Sequence, residues 1–409
     1  MKIYPSEPLN ILHTIGLNEM YPIVRCQIDL TQPLDGVRLQ KAVQLVGQVA
    51  PQIFGRYELQ QNTFVVEEAK TAPIIQSLAA NQQPDTVPLN FMQGPQLRLY
   101  LQTQQSGQLL TLIMSHILSD GAGFKQLLYL LVDCYNRGTT AIEGKQNDQS
   151  IAPVQALIDR RQSVTQKITD HPQQPLFLPQ LAAHDAQIYR VARVHFSVSE
   201  TEQLHAAARV SGVTLNDLFM AAFGQIIQQY SGVTDLTLAC PTDMRQFFTT
   251  AEQATLRIAN LTARYNLILP DTLELSLAQL IQLVHQQMQT LKEQQQFLDS
   301  VTDLLARAQT DSVAELQQIA EINYHVRPIA YTNFGVIDAA KIQFTGTTIN
   351  DFVLTGSFRR APMFQVATST FDDQLTFAFN MIGNELEYRF GMMILQQMQQ
   401  NLLLWGGNK

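Results

Sequence analysis

Residues 109–121 read Leu109-Leu110-Thr111-Leu112-Ile113-Met114-Ser115-His116-Ile117-Leu118-Ser119-Asp120-Gly121. Leu109–Met114 is short and almost wholly apolar, which predicts a strand buried on both faces. His116–Asp120 is a tight connection. Ala122 to Tyr135 then predicts a helix, with Asp120 as its N-cap and Gly138 just past its end. A strand that stops at a polar turn and restarts as a helix is a unit of a layered α/β fold.

The same alternation continues outward on both sides. Ile23–Leu30 predicts a strand, and Pro33-Leu34-Asp35-Gly36 a turn. Val37–Val49 follows as a helix stopped by Pro51. Phe54–Glu67 predicts a hairpin turning at Gln60-Gln61-Asn62, and Pro95–Gln102 a strand beside the motif strand. From Thr139 to Gln187 the pattern breaks into Gly, Asn, Pro and Gln. Val154–Arg161 is a lone helix there, and the stretch around Asp170–Pro179 is expected to be the first to yield to proteolysis. A second series begins with a strand at Arg190–Val198 and a helix starting at Ser199. A helix over Thr214–Tyr230, strands at Leu236–Ala239 and Tyr265–Leu269, and a long helix over Leu275–Phe297 follow. Strands at Ile329–Gly335, Phe364–Thr370 and Gln374–Asn380 and a closing helix over Asn384–Trp405 end it. The reading is a mixed α/β chain in two halves: residues 1–160, a linker at 161–188, and residues 189–409.

A chain of 409 residues exceeds one compact core, and 45% hydrophobic residues supply apolar material for two. The net charge of −8 and the absence of a Lys/Arg-dense run argue against nucleic acid. Three scattered cysteines, Cys26, Cys134 and Cys240, suggest neither a disulfide framework nor a metal site. Met1–Pro8 lacks the apolar run of a signal peptide, and no stretch is long enough to span a bilayer. A cytoplasmic monomer is expected.

His116 emerges from a buried strand, where an imidazole can face a cavity from a fixed backbone. That is what a general base requires. A lone histidine before a helix is as readily a structural hydrogen bonder, and these residues alone leave both readings open. Gly121 permits close backbone approach at a helix N-terminus, which favours developing negative charge nearby. His171, His184, His195, His205, His285 and His325 lack the spaced partners of a metal site. Arg359-Arg360 is read as a solvated loop, with a phosphate contact as the alternative.

Ser115-His116-Ile117-Leu118-Ser119-Asp120-Gly121 resembles the HHxxxDG motif, an HxxxDG pattern, of the condensation-domain and chloramphenicol-acetyltransferase-like superfamily. That group includes alcohol acetyltransferases, wax-ester synthases and the BAHD acyltransferases. Val213-Thr214-Leu215-Asn216-Asp217-Leu218-Phe219 is similar to the family's TxNDxxLAA helix start. Pro241-Thr242-Asp243-Met244-Arg245 is similar to its P-x-D-x-R pattern, and Tyr331-Thr332-Asn333-Phe334-Gly335 to a later strand. Ser115 departs from the pattern, standing where many condensation domains have the first histidine.

The resemblance implies two chloramphenicol-acetyltransferase-like halves meeting in a V-shaped pseudo-dimer around a central tunnel. It implies an acyltransferase that moves an acyl group from a CoA or carrier-protein thioester to a hydroxyl or amine of a small-molecule acceptor. His116 would be the general base, Asp120 a structural partner of Arg245, and Gly121 a support of the turn. Asn333, Ser115 and the Gly121 N–H are the candidates for oxyanion or substrate contact. No permanently bound cofactor is expected; acyl-CoA or a phosphopantetheine-linked acyl group is a co-substrate. The alternatives are a stand-alone condensation domain acting in trans with a peptide-synthetase carrier protein, and a non-catalytic binding module of the same fold. Dihydrolipoamide acyltransferases carry a similar motif near the C-terminus of a single domain, so its place early in this chain sets them aside.

Overall fold

The motif strand Gln108–Ser115 is the middle strand of a five-stranded sheet. The structure, a computed structural model, describes residues 1–17, 20–67, 74–87, 89–161, 176–182, 185, 187–271 and 274–407. The sheet order is Ile349–Thr355, Ile23–Leu30, Gln108–Ser115, Leu97–Thr103 and Ile75–Leu78. Only the last pair is parallel. Along the motif strand the side chains alternate. Leu110, Leu112 and Met114 pack with Val43 and Val46 of the helix Gly36–Val49 and with Leu127 and Leu131 of the helix Gly121–Arg137. Ile113 points to the other face, where it meets Tyr100, Phe91, Phe358 and Ile382. Both faces are covered, so the run is almost entirely apolar. Each leucine buried there contributes roughly 1.5–3 kcal/mol. The helix ends where Gly138 takes a φ of +65°, a conformation that costs glycine little.

The second half builds another sheet from Ile329–Ile337, Phe364–Phe371, Gln374–Ile382 and Arg359–Arg360, with Tyr189–His195 also pairing Gln374–Ile382. A separate ribbon joins Leu236–Asp243 to Thr262–Leu269 in antiparallel register. The helices Leu215–Ser231, Leu277–Glu293 and Glu385–Gly407 bury their apolar faces in the same core. Among the described residues no single helix is long and apolar enough to cross a membrane.

The two halves trade segments, which the division at 161–188 does not anticipate. Strand Ile349–Thr355 leaves the second half and pairs with Ile23–Leu30, burying Phe352 and Leu354 in the first core. In return, Leu9, Ile11 and Leu12 near the N-terminus, with Val154 and Leu157, pack into the second core. Of the expected linker, residues 162–175, 183–184 and 186 lie outside the described residues, and with them His171, His184 and most of the expected cleavage site. Two helix starts also move. Val198–Val210 begins at Ser197 rather than Ser199, because Ser197 and Glu200 exchange hydrogen bonds at 3.2 and 2.7 Å. The long helix is shorter than expected, Leu277–Glu293, and Ser276 caps it with Gln279.

Candidate active site

The motif turn is gripped by the second half. The chain leaves the strand with the His116 N–H donating to Pro22 O at 2.9 Å. Asp120 then caps the helix, its Oδ1 accepting from Gly123 N at 2.8 Å. Its Oδ2 accepts from Arg245 Nη1 at 3.0 Å, Leu261 N at 2.6 Å and Thr262 Oγ1 at 2.9 Å. Burial alone would push the Asp120 carboxyl up; the Arg245 charge and these hydrogen bonds outweigh it and hold the pKa below the usual aspartate value. Arg245 also binds Asp243 at 2.8 Å and the carbonyls of Arg257 and Ala259 at 3.0 and 2.9 Å. The sequence-predicted pair is therefore brought together, at 1% exposure for Asp120 and 6% for Arg245.

Asn260 completes the grip. Its Nδ2 donates to the carbonyls of His116 and Ile117, both at 2.9 Å, and to Asn10 Oδ1 at 3.1 Å. No motif marks this residue. The segment lies so close that a Cβ on Gly123 would fall 2.0 Å from Ser119 Oγ and 3.0 Å from the Ala259 amide nitrogen and carbonyl oxygen. Gly123→Ala is expected to cost about 1–3 kcal/mol by overpacking. Urea denaturation would show it as a lower midpoint at unchanged slope; wild-type stability would mean that the 259 segment is not a fixed wall.

Around the turn lies a cavity of about 210 Å³ whose lining includes His13, His116, Gly121, Arg264, Asn333 and Arg359. Both halves contribute to it. Burial lowers the His116 pKa below the ordinary histidine value, against the pull of its own carbonyl and of Asp120, which favours the neutral ring. Gly121 is needed for the opposite wall: a Cβ there would sit 2.6 Å from the Phe334 ring. Lys125 Nζ donates to Phe334 O at 2.6 Å, holding the Asn333 strand over the helix start. Asn333 Nδ2 donates to Asn216 Oδ1 at 3.1 Å, and its Oδ1 accepts from Gly335 N at 2.8 Å.

Two readings of single residues change. Ser115 is fully buried and does not line the cavity, so it makes no substrate contact there. Arg359 is not in a solvated loop: it is 6% exposed, pairs in a short strand with Met381, and lines the cavity. Three of the other histidines meet a single carboxylate each: His325 Nδ1 lies 2.7 Å from Glu321 Oε1, His285 Nδ1 2.8 Å from Asp217 Oδ2 and His195 Nε2 3.4 Å from Asp351 Oδ1. His13, absent from the motif reading, stacks on His116. Among the described residues no cluster of His, Cys, Asp and Glu is placed to hold a metal ion.

The chain belongs to the condensation-domain family, whose model matches residues 40–350. A linear gramicidin synthase component from Brevibacillus parabrevis is 27% identical over 177 residues, 38% of this chain, and the chain spans about 2% of that protein's length. Among solved structures, polyketide synthase associated protein 5 from Mycobacterium tuberculosis superposes with a TM-score of 0.68 at 15% identity, covering 99% of this chain and 98% of that one. The first condensation domain of the calcium-dependent antibiotic synthetase, in complex with a substrate analogue, gives 0.64 at 15% identity, with coverage of 99% and 95%. The epimerization domain from the third module of tyrocidine synthetase B gives 0.61 at 12% identity, with coverage of 100% and 96%. These likenesses establish the mixed α/β condensation-domain fold.

Proposed function

We propose that the chain is an acyltransferase of the condensation type, taking its acyl group from a carrier-protein-bound phosphopantetheine thioester. One observation carries this reading: the imidazole of His116 borders a cavity built by both halves, on a turn whose backbone is clamped from across the molecule. In the reaction, the acceptor amine or hydroxyl attacks the thioester carbon while His116 takes its proton. The new C–N or C–O bond forms, the C–S bond breaks, and the departing thiolate recovers the proton from His116. No covalent enzyme intermediate is required. The second N–H of the Asn333 amide and the Gly121 N–H are the candidates for the oxyanion. Donor and acceptor would enter from opposite ends of a tunnel between the halves.

Purified chain should be offered an acyl-loaded carrier protein and, separately, acyl-CoA, each with a panel of amines and alcohols. Acceptor-dependent thiol release from the loaded carrier supports the proposal. Release from CoA alone would reassign the donor, and release from neither would favour a binding module. The base must be unprotonated to act. With its pKa lowered by burial from the ordinary histidine value of 6.5, the acid limb of kcat/KM is expected to have its midpoint below 6.5. A pH–rate profile with its acid limb above 6.5 would contradict this assignment.

A further inference from the structure

The His116 ring does not stand alone in the cavity. His13 ends the short 3-10 helix Pro8–His13, whose Leu9, Asn10, Ile11 and Leu12 are buried. Its imidazole lies face to face with that of His116, with centroids 3.8 Å apart and planes 18° from parallel. The Tyr324 ring meets the edge of His13 at 6.1 Å and 75°. The segment is tied on both sides. Asn10 Oδ1 accepts from the same Asn260 amide that holds the His116 carbonyl. Thr14 Oγ1 accepts from Gln317 Nε2 at 2.9 Å. Among the described residues neither His13 Nε2 nor His116 Nδ1, both buried, has a hydrogen-bond partner. Apart from the pull of its own carbonyl and of the Asn260 amide on His116, packing and stacking hold the pair.

We infer that His13 is a positioning residue for His116: its ring is a plate that fixes the plane of the base and offers a π-face to the imidazolium formed when the base takes a proton. This rests on the proposed role of His116. A cation over an aromatic face is stabilised, and more so where water is excluded. A second positive charge at this distance would instead repel it strongly. His13 therefore has to stay neutral through the cycle. Burial does this, holding its pKa well below the ordinary histidine value, and the neighbouring His116 acts in the same direction. The π-face is useful only once His116 is charged, so the effect belongs in kcat rather than in substrate binding.

The test uses two variants, His13→Leu and His13→Phe, in the full chain. Leucine removes the π-face but fills the space, and it also removes a buried, unpaired nitrogen, so the melting temperature should not fall. His13→Leu is expected to lower kcat about tenfold with KM within about twofold. His13→Phe should restore most of that loss. A second readout needs no substrate. In the proton NMR spectrum the His116 Cε1–H resonance, identified by its loss in His116→Gln, should lie upfield from the His13 ring current, move downfield in the leucine variant and return in the phenylalanine one. An unmoved resonance, or a leucine variant with wild-type kcat, overturns the proposal. If the wild-type chain transfers no acyl group, the reading of the site fails in its own assay, and the NMR result alone decides the stacking.

Discussion

Asp120→Asn and Arg245→Met are each expected to cost about 3–5 kcal/mol of stability and to lose acyl transfer with it. The Asp120 carboxylate sits at 1% exposure and is filled by donors from the helix, from Arg245 and from the 261–262 backbone and side chain. An amide in its place presents N–H toward groups that already donate. Removing the guanidinium instead leaves Asp120 beside Asp243, whose carboxyl burial already pushes up. Either change loosens the turn that carries His116. The double variant should lose less than the sum of the singles, since both remove one shared interaction. The carboxyl is held below its ordinary 3.8, so its contribution is present above that pH and is lost as the pH falls through the lower folded value. The stability gap between wild type and Asp120→Asn should therefore persist at neutral and mildly acidic pH and close only below about pH 4. Chemical denaturation of the four proteins at two pH values would measure all of this. Singles as stable as wild type but inactive would move Asp120 from strut to chemistry.

The parts of this site that can be read in advance are those encoded locally. A buried strand, a polar turn and an amphipathic helix follow one another from Leu109 to Tyr135, and Asp120 announces itself as a cap by its place before the helix. Arg245 is reachable only through the resemblance of Pro241-Thr242-Asp243-Met244-Arg245 to the family's pattern. Asn260 and His13 are not, because their roles depend on which distant segment the fold lays against the motif turn. Arg359 misleads for a related reason: a guanidinium next to another arginine looks solvated until a second layer covers it. The strand Ile349–Thr355 is missed altogether by the sequence reading, and even a strand recognised from its own residues says that it pairs but not with which sheet. Ser197 and Ser199 compete as helix starts because each has a glutamate three residues on, Glu200 and Glu202, and it is the fold that closes the capping box at Ser197.

The largest kinetic effect should come from His116→Ala. The backbone of the turn is held by the His116 N–H to Pro22, by Asn260 and by Asp120, none of which needs the imidazole. Its loss leaves a small space against His13, so the melting temperature should stay near that of wild type while the proton acceptor is gone. Removal of a general base costs about two to four orders of magnitude in rate. The decisive measurement is a single-turnover reaction of acyl-loaded carrier protein with a competent acceptor, product counted by mass spectrometry, for wild type and His116→Ala matched by melting temperature. Wild type is expected to form product rapidly, and the variant at a rate lower by about two to four orders of magnitude. Equal rates from both folded proteins would contradict it.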